Sequence, residues 1–149
     1  MQFHAYEGSH LDLLSTFIRE LGLRVSDPRI STLHGEWALS LSTGVAAVHL
    51  LRHGRCLAWP PSAQHPLSVA RGCAVLVSGD LPCTLQFLGP RRAPVEFFDW
   101  ARGSTLDHVA HLPRGDGVQM ISARVELAAP PGRLTRPLPP LVVIRPYQL

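Results

Sequence analysis

The chain contains no lysine: all 14 of its basic residues are arginine, and they stand against 11 acidic residues. Charged residues make up only 17% of the sequence, and the formal net charge is +3. Arg91 and Arg92 are the single adjacent basic pair, and no aromatic residues are interleaved with a basic run. Nucleic-acid surfaces are usually dense basic stripes. We therefore attribute the arginines to a biased amino-acid composition and do not expect the chain to bind nucleic acid.

Cysteine is scarce, and long apolar runs are missing. The three cysteines, Cys56, Cys73 and Cys83, are odd in number and not closely paired, which argues against a disulfide framework. The sequence shows no signal-peptide pattern and no apolar run approaching the ~18 residues of a membrane span. We therefore expect a cytoplasmic protein without a membrane partner.

The composition is sufficient for one folded unit. The chain has 149 residues, of which 46% are hydrophobic, so it can bury a core and is not of the disordered class. No linker and no repeat interrupts it. We predict a single domain over residues 1–149, with a helix over about 11–22 and a barrel over about 30–145.

The segment LDLLSTFIREL, residues 11–21, predicts the N-terminal helix. Its apolar residues follow the helical spacing i, i+3, i+4 and i+7; they are Leu14, Phe17, Ile18 and Leu21. Gly22 is a natural stop signal. We expect no helix beyond Leu23, because Asp27-Pro28 breaks it.

From about residue 36 the pattern changes to short apolar or alternating segments between glycine- and proline-rich turns. The predicted strands are Trp37–Ser42, Val45–Leu51, Arg55–Trp59, Leu67–Val69, Cys73–Val77, Thr84–Leu88, Val95–Trp100, Val118–Leu127 and Leu141–Ile144. A short helix is predicted around Leu106–His111. Many short strands of this kind are typical of a sandwich or barrel, so the predicted class is mainly β with a few short helices.

Five segments occur in an order that carries a family resemblance. They are DLLSTFIRELGLR, GEWALSLS, VAAVHLLRHGRCLAW, HPLSVARGCAVLVSGDLPCTLQF and RPLPPLVVI. This order resembles the cupin superfamily, and within it the N-terminal ligand-binding domain of AraC-type transcription regulators. The resemblance implies a jelly-roll barrel, also called a double-stranded β-helix, whose cavity binds a small effector, and a domain that can form a homodimer. Those regulators read DNA through a helix-turn-helix region, a pattern that this chain lacks.

The resemblance also implies a divalent metal held by three histidines and a carboxylate, but little of that motif is kept. His49 matches the first histidine, Leu51 stands at the second position, and no carboxylate follows at the expected place. Cys83 replaces the histidine of the second motif. His53 lies four residues beyond His49, so in a regular strand the two would share a face. We expect no metal or other cofactor; His49, His53 and Cys83 are the candidates if one is bound.

Aromatic residues on the predicted strands favour a flat, apolar or aromatic ligand inside the barrel. The predicted ligand contacts are Trp37, His49, Leu51, Arg55, Trp59 and Cys83. Polar groups that could orient such a ligand are Glu36, Arg52 and Arg55. The alternative for His49 and Cys83 is a plain structural role, in which the first is a hydrogen-bonded core residue and the second a small buried hydrophobe.

Two classes of function remain open from the sequence. The first is a binding module of the AraC-type sensor kind. The second is a stand-alone enzyme, a metal-independent cyclase or isomerase of a biosynthetic pathway, in which His49, Cys83 and His53 are the catalytic candidates. In that hypothesis Cys83 is a nucleophile and His49 its base on an adjacent strand. A metal-dependent cupin enzyme with atypical ligands is a third, weaker alternative.

Overall fold

The structure is a computed structural model that describes residues 23–94, 96–98, 100, 117–127 and 140–145. The helix predicted over 11–22 and the short helix predicted around residues 106–111 lie outside the described residues. Within the described part of the chain, no helix is long and apolar enough to cross a membrane.

Ten strands make up the described part of the chain. They are β1 (Leu23–Leu33), β2 (Ala38–Ser40), β3 (Ala47–His53), β4 (Cys56–Trp59), β5 (Leu67–Val69), β6 (Ala74–Val77), β7 (Thr84–Gln86), β8 (Glu96–Phe97), β9 (Val118–Leu127) and β10 (Leu141–Ile144). Nine of them fall within segments that the sequence predicts as strands or overlap them closely. The mainly-β prediction is therefore confirmed.

The strands form two five-stranded sheets. Sheet A has the order β1-β9-β3-β6-β10, and sheet B has the order β5-β4-β7-β2-β8. Neighbouring strands are antiparallel apart from the parallel pair β2–β8. Because the chain passes from one sheet to the other after β1, β2, β3, β5, β6 and β8, most neighbouring strands are distant in sequence. The exception is the consecutive pair β4–β5.

β1 is the strand that the sequence did not predict. The Asp27-Pro28 pair is a strong signal for the end of an element, yet β1 continues through it. The register of β1 against β9 shifts between Ser26 and Arg29, and Asp27 takes a positive φ of 54°. A bulge of this kind accepts a proline because the bulged residue makes no ladder hydrogen bond. The pair therefore bends the strand without ending it.

The core lies between the two sheets. Ala47 and Leu51 of β3 belong to a cluster with residues of sheet B such as Leu85, whereas Val48 and Leu50 belong to a second cluster on the other face of sheet A. This alternation is the period of two expected for a strand that is buried on both faces. His49 falls on the interior face, so the barrel places an imidazole among apolar side chains.

Two glycines fix the connection between β2 and β3 against the turn that follows β6. The N–H of Gly44 donates to the carbonyl of Gly79 at 3.1 Å. Both have positive φ, 82° at Gly44 and 86° at Gly79. A side chain at Gly79 would also run into the backbone of Val45, whereas nothing lies within 4 Å of the same position at Gly44.

These two glycines provide a matched test of the fold. We expect Gly44→Ala to lower the free energy of unfolding by about 1 kcal/mol, since it adds only left-handed backbone strain. Gly79→Ala adds a clash with Val45 to the same strain and should lower it by about 3 kcal/mol or more. Urea unfolding followed by tryptophan fluorescence measures both. Equal losses in the two variants would contradict the close packing of Gly79 against Val45.

Candidate functional site

His49 and Ser122 form a polar pair on the interior face of sheet A. The register of β3 against β9 sets the two residues directly opposite one another. Nδ1 of His49 and Oγ of Ser122 share a hydrogen bond of 2.7 Å. His49 is 2% exposed and Ser122 is fully buried. Each side chain therefore provides the other with a hydrogen-bond partner, which buried polar groups need.

Two aromatic rings enclose the His49 imidazole. The Phe98 ring meets it edge-on with ring centroids 5.0 Å apart, and the Trp100 ring is stacked at 6.5 Å. Burial in these surroundings lowers the pKa of His49 from 6.5 to about 4, because an apolar environment disfavours the charged imidazolium. His49 is therefore neutral at physiological pH. We call His49, Ser122, Phe98 and Trp100 the interior cluster.

Charged residues of sheet A hold Trp100 in place. Nε of Arg29 donates to the Trp100 carbonyl at 2.7 Å, and the Arg124 guanidinium lies 5.1 Å above the Trp100 ring. The Asp27 carboxylate forms ion pairs with both arginines, at 2.7 Å to Nη2 of Arg29 and 3.3 Å to Nε of Arg124. The bulge at Asp27 thus turns a carboxylate toward two cations that fix an aromatic ring over His49.

A cavity of about 530 Å³ opens where β1 leads into β2. We call it the mouth cavity; its lining residues are Leu33, His34, Glu36, Trp37, Ala38, Leu39, Arg92, Ala93 and Glu96. Trp37 is 8% exposed and belongs to the core between the sheets. Its indole Nε1 is buried and has no hydrogen-bond partner among the described residues. Trp37 therefore contributes to the cavity wall, while its indole nitrogen is itself closed to solvent.

The side of the mouth cavity that carries Arg92 is fixed by a buried amide. Gln86 is fully buried on β7. Its Nε2 lies 3.2, 3.3 and 3.0 Å from the carbonyl oxygens of Phe87, Gly89 and Pro90, and its Oε1 accepts from the Arg92 N–H at 3.0 Å. These contacts hold residues 87–92 against sheet B. Residues 87–92 form no helix or strand, so these hydrogen bonds are what place the Arg92 side chain at the cavity.

The structure separates the six predicted ligand contacts. Trp37 lines the mouth cavity, and Leu51 packs in the core between the sheets. Arg55 is exposed between β3 and β4. Trp59 lies on the opposite face of β4 from the core residue Ala58, with the Arg91 guanidinium 4.5 Å above its ring. His49 belongs to the interior cluster, and the sixth, Cys83, is described next.

Cys83 and His49 do not stand on adjacent strands. Cys83 precedes β7 in sheet B, whereas β3 lies in sheet A between β9 and β6. The Cys83 Sγ lies 3.4 Å from the Pro140 carbonyl. Burial raises the pKa of its thiol to about 11, which disfavours the thiolate that a nucleophile requires. The expectation of a nucleophile–base pair on neighbouring strands was therefore wrong.

The four-residue spacing of His49 and His53 also fails to align them. The register of β3 against β9 shifts between Leu51 and His53, so the simple alternation that would give the two histidines one face is interrupted. His53 is half-buried at the end of the strand.

The metal donor set that the resemblance implies is not assembled by the described residues. They contain no group of three or more histidine, cysteine, aspartate or glutamate side chains that could hold a metal ion. Nδ1 of His49 is engaged with Ser122, and the face of the imidazole is covered by Trp100. The described residues therefore do not fit the three-histidine, one-carboxylate site.

Sequence reasoning missed most of the residues around the mouth cavity. Glu36 was considered as an orienting group, and the Arg91-Arg92 pair was noticed only as a charge feature. Leu33 and Glu96 carry no local signal, since a cavity between a strand end and a distant loop depends on how the strands are arranged. Gln86, which fixes that loop, looks like an ordinary polar strand residue.

His49 makes the stability of the protein depend on pH. Between pH 6.5 and about 4 the unfolded chain binds a proton at His49 that the folded protein does not. The free energy of unfolding should therefore fall as the pH falls through this window, by about 3 kcal/mol in total. His49→Gln keeps a hydrogen-bonding group beside Ser122 and should lose this component. Urea unfolding between pH 4 and 6.5 measures the free energy of unfolding of both proteins. If this free energy changed with pH by the same amount in the variant and in the natural protein, the assignment to His49 would be wrong.

The buried thiols predict slow chemical modification. Burial, with a smaller contribution from Cys73, raises the pKa of Cys56 to about 12, and all three cysteines are free and buried. We expect an aromatic disulfide reagent at neutral pH to label the folded protein far more slowly than the urea-unfolded protein. Comparison with Cys83→Ser identifies the contribution of Cys83. Rapid labelling of Cys83 in the folded state would restore it as a nucleophile candidate.

Comparison with known proteins agrees with this architecture. A family model described as Cupin matches residues 12–148. No curated protein and no solved structure matches the chain. The family match spans nearly the whole chain, including both sheets, the interior cluster and the mouth cavity, and so the chain belongs to the cupin family.

Proposed function

We propose that this cupin domain binds a small apolar or aromatic molecule, as the sensor domains of AraC-type regulators do, and that the ligand occupies the mouth cavity. The observation that carries the proposal is the mouth cavity itself, whose lining joins Trp37 to Leu33 and Leu39. Apolar and aromatic side chains around an open volume are the usual lining of a small-molecule site.

The size and lining of the cavity support the same proposal. Its volume of about 530 Å³ lies within the roughly 300–1,000 Å³ of small-molecule sites. Leu33, Leu39 and the Trp37 ring supply apolar surface. Trp37 also packs in the core between the sheets, so its ring is held before a ligand arrives. A fixed ring of this kind reduces the entropy lost on binding a flat molecule.

A second candidate is a metal-independent enzyme, a cyclase or an isomerase. The observation in its favour is the neutral His49 imidazole beside the Ser122 hydroxyl, because a neutral imidazole can take up a proton from a reacting group. Its weakness is access: His49 is 2% exposed and enclosed by Phe98 and Trp100.

One experiment separates the binding module from the enzyme. Native mass spectrometry identifies small molecules that copurify with the protein, and each is then incubated with the protein. A binding module returns the molecule unchanged, whereas an enzyme converts it.

The proposal predicts a loss of binding in the variant Trp37→Phe, which keeps an aromatic ring but offers the cavity a smaller one. As a probe we choose para-acetylbenzyl alcohol, a neutral aromatic ketone. We expect the variant to bind it about threefold more weakly, since the smaller ring provides less aromatic contact surface. Calorimetric titration measures the affinity, and a nitrogen–proton spectrum follows the indole signal that the variant lacks.

Trp59→Phe is the matched control. Trp59 also has a buried indole nitrogen without a partner among the described residues, but it is not among the residues that line the mouth cavity. Its variant should bind the probe as the natural protein does. Unchanged binding by Trp37→Phe, or a comparable loss in Trp59→Phe, would contradict the assignment of the ligand to this cavity.

A further inference from the structure

One wall of the mouth cavity is a loop that packing alone does not hold. We call residues 87–93, which follow β7, the wall loop; they form no helix or strand, and most of them are exposed. Arg92 and Ala93 at its end line the cavity. At its start the Phe87 N–H donates to the Trp37 carbonyl at 3.1 Å. What fixes the loop between these two ends therefore determines the shape of the wall.

The Gln86 side chain provides that connection with both ends of its amide. Its Nε2 lies 3.2, 3.3 and 3.0 Å from the carbonyl oxygens of Phe87, Gly89 and Pro90. Its Oε1 accepts from the Arg92 N–H at 3.0 Å. The loop thus needs one flat group that donates on one side and accepts on the other. A primary amide is such a group, whereas a carboxylate only accepts and an ammonium only donates.

The surroundings of Gln86 direct its amide to the wall loop. Gln86 is fully buried, and its cross-strand neighbours Leu57 and Ala38 have apolar side chains. Hydrogen bonds shielded from water are the stronger ones. The ion pair of Arg92 with Glu36, which also reaches the loop, has side chains 47% and 65% exposed. Exposed pairs of this kind contribute little, so the amide is the main attachment of the loop.

We infer that Gln86 is the positioning residue of the mouth cavity. It is not among the residues that line the cavity, and it acts on a ligand through Arg92 and Ala93, which its amide holds in the wall. This role of Gln86 rests on the proposed function, because it concerns ligand binding by the same cavity. A ligand binds only those molecules whose wall loop is in place, so its apparent affinity follows the fraction of molecules in that state.

The variant Gln86→Met removes the amide and keeps a side chain of similar size. Without its partners the loop exchanges its hydrogen bonds with water and leaves the wall. We expect the full chain to bind para-acetylbenzyl alcohol about tenfold more weakly, because the binding-competent fraction falls. Calorimetric titration measures the affinity. Amide hydrogen exchange reports the loop directly, since the Arg92 N–H should lose its protection.

Gln119→Met is the matched control. Gln119 is also a strand glutamine and is 1% exposed. It lies on β9, its amide has no partner among the described residues, and it does not line the cavity. Its variant should bind the probe within about twofold of the natural protein, as expected for a distant site. Gly79→Ala controls for stability, since it lowers the free energy of unfolding and should leave the affinity of the folded protein unchanged.

Gln86→Glu tests the donating half of the amide. A neutral carboxyl group can donate to one loop carbonyl, whereas the ionised group has no proton to donate and faces three carbonyl oxygens. The guanidinium groups of the loop are engaged elsewhere, Arg91 over the Trp59 ring and Arg92 with Glu36. A carboxylate that drew either of them in would also displace the loop. We expect the affinity of this variant to fall about 3- to 10-fold from pH 5 to pH 8, because burial brings the carboxyl pKa into this range. The natural protein, measured in the same series, should show no comparable fall.

The outcomes separate this role of Gln86 from the proposed function. If the natural protein binds the probe and both variants at position 86 bind it equally well at pH 8, Gln86 does not position the cavity, while ligand binding there stands. A flat pH profile of Gln86→Glu, or an equal loss of affinity in Gln119→Met or Gly79→Ala, would also overturn the role. If Gln86→Met does not fold, the pH profile of Gln86→Glu decides. If the natural protein does not bind the probe, the proposed function fails and the role of Gln86 fails with it.

Discussion

The position of β9 between β1 and β3 is the constraint on which the interior depends. Ser122 pairs with Arg29 on one side and with His49 on the other. The pairing of these three residues across β1, β9 and β3 puts the Ser122 hydroxyl beside the His49 imidazole. It also brings the Arg29 guanidinium within hydrogen-bond distance of the Trp100 carbonyl. A slip of one residue in β9 would turn Ser122 to the other face of the sheet. The buried imidazole of His49 would then lose its partner, so the polar pair helps to specify the register.

The same strand arrangement explains how the two sheets meet along one edge. β1 is one of the two edge strands of sheet A, and β8 is one of the two edge strands of sheet B. After β8 the Phe98 N–H donates to the Ser40 carbonyl of sheet B at 2.9 Å, and Trp100 then accepts from Arg29 of sheet A. The backbone groups of these two aromatic residues therefore connect the sheets, through the Ser40 carbonyl on one side and the Arg29 side chain on the other, while their rings lie beside His49. The bulge at Asp27, an apparent irregularity, supplies the carboxylate that aligns both arginines.

Much of the fold could be predicted from the sequence, because alternation and turn residues are local signals. The predicted bounds of β5, β9 and β10 agree with the structure. β1 could not be predicted, since the effect of Asp27-Pro28 depends on whether a partner strand tolerates a bulge. The relation of Cys83 to His49 was also beyond the sequence, because spacing along the chain does not say which sheet a strand joins. Trp59 could have been assigned to the outer face from its alternation with Ala58.

The contrast between His49 and Trp37 is the reason for proposing the mouth cavity, and not the interior cluster, as the ligand site. A ligand gains little at His49, whose hydrogen bond to Ser122 is already made and whose ring is packed against Phe98 and Trp100. The indoles of Trp59 and Trp100 also lack partners among the described residues. Trp59, however, is covered by Arg91, and Trp100 lies between Arg124 and His49. Of the three tryptophans, Trp37 is the one that lines the mouth cavity, and a ligand needs open volume.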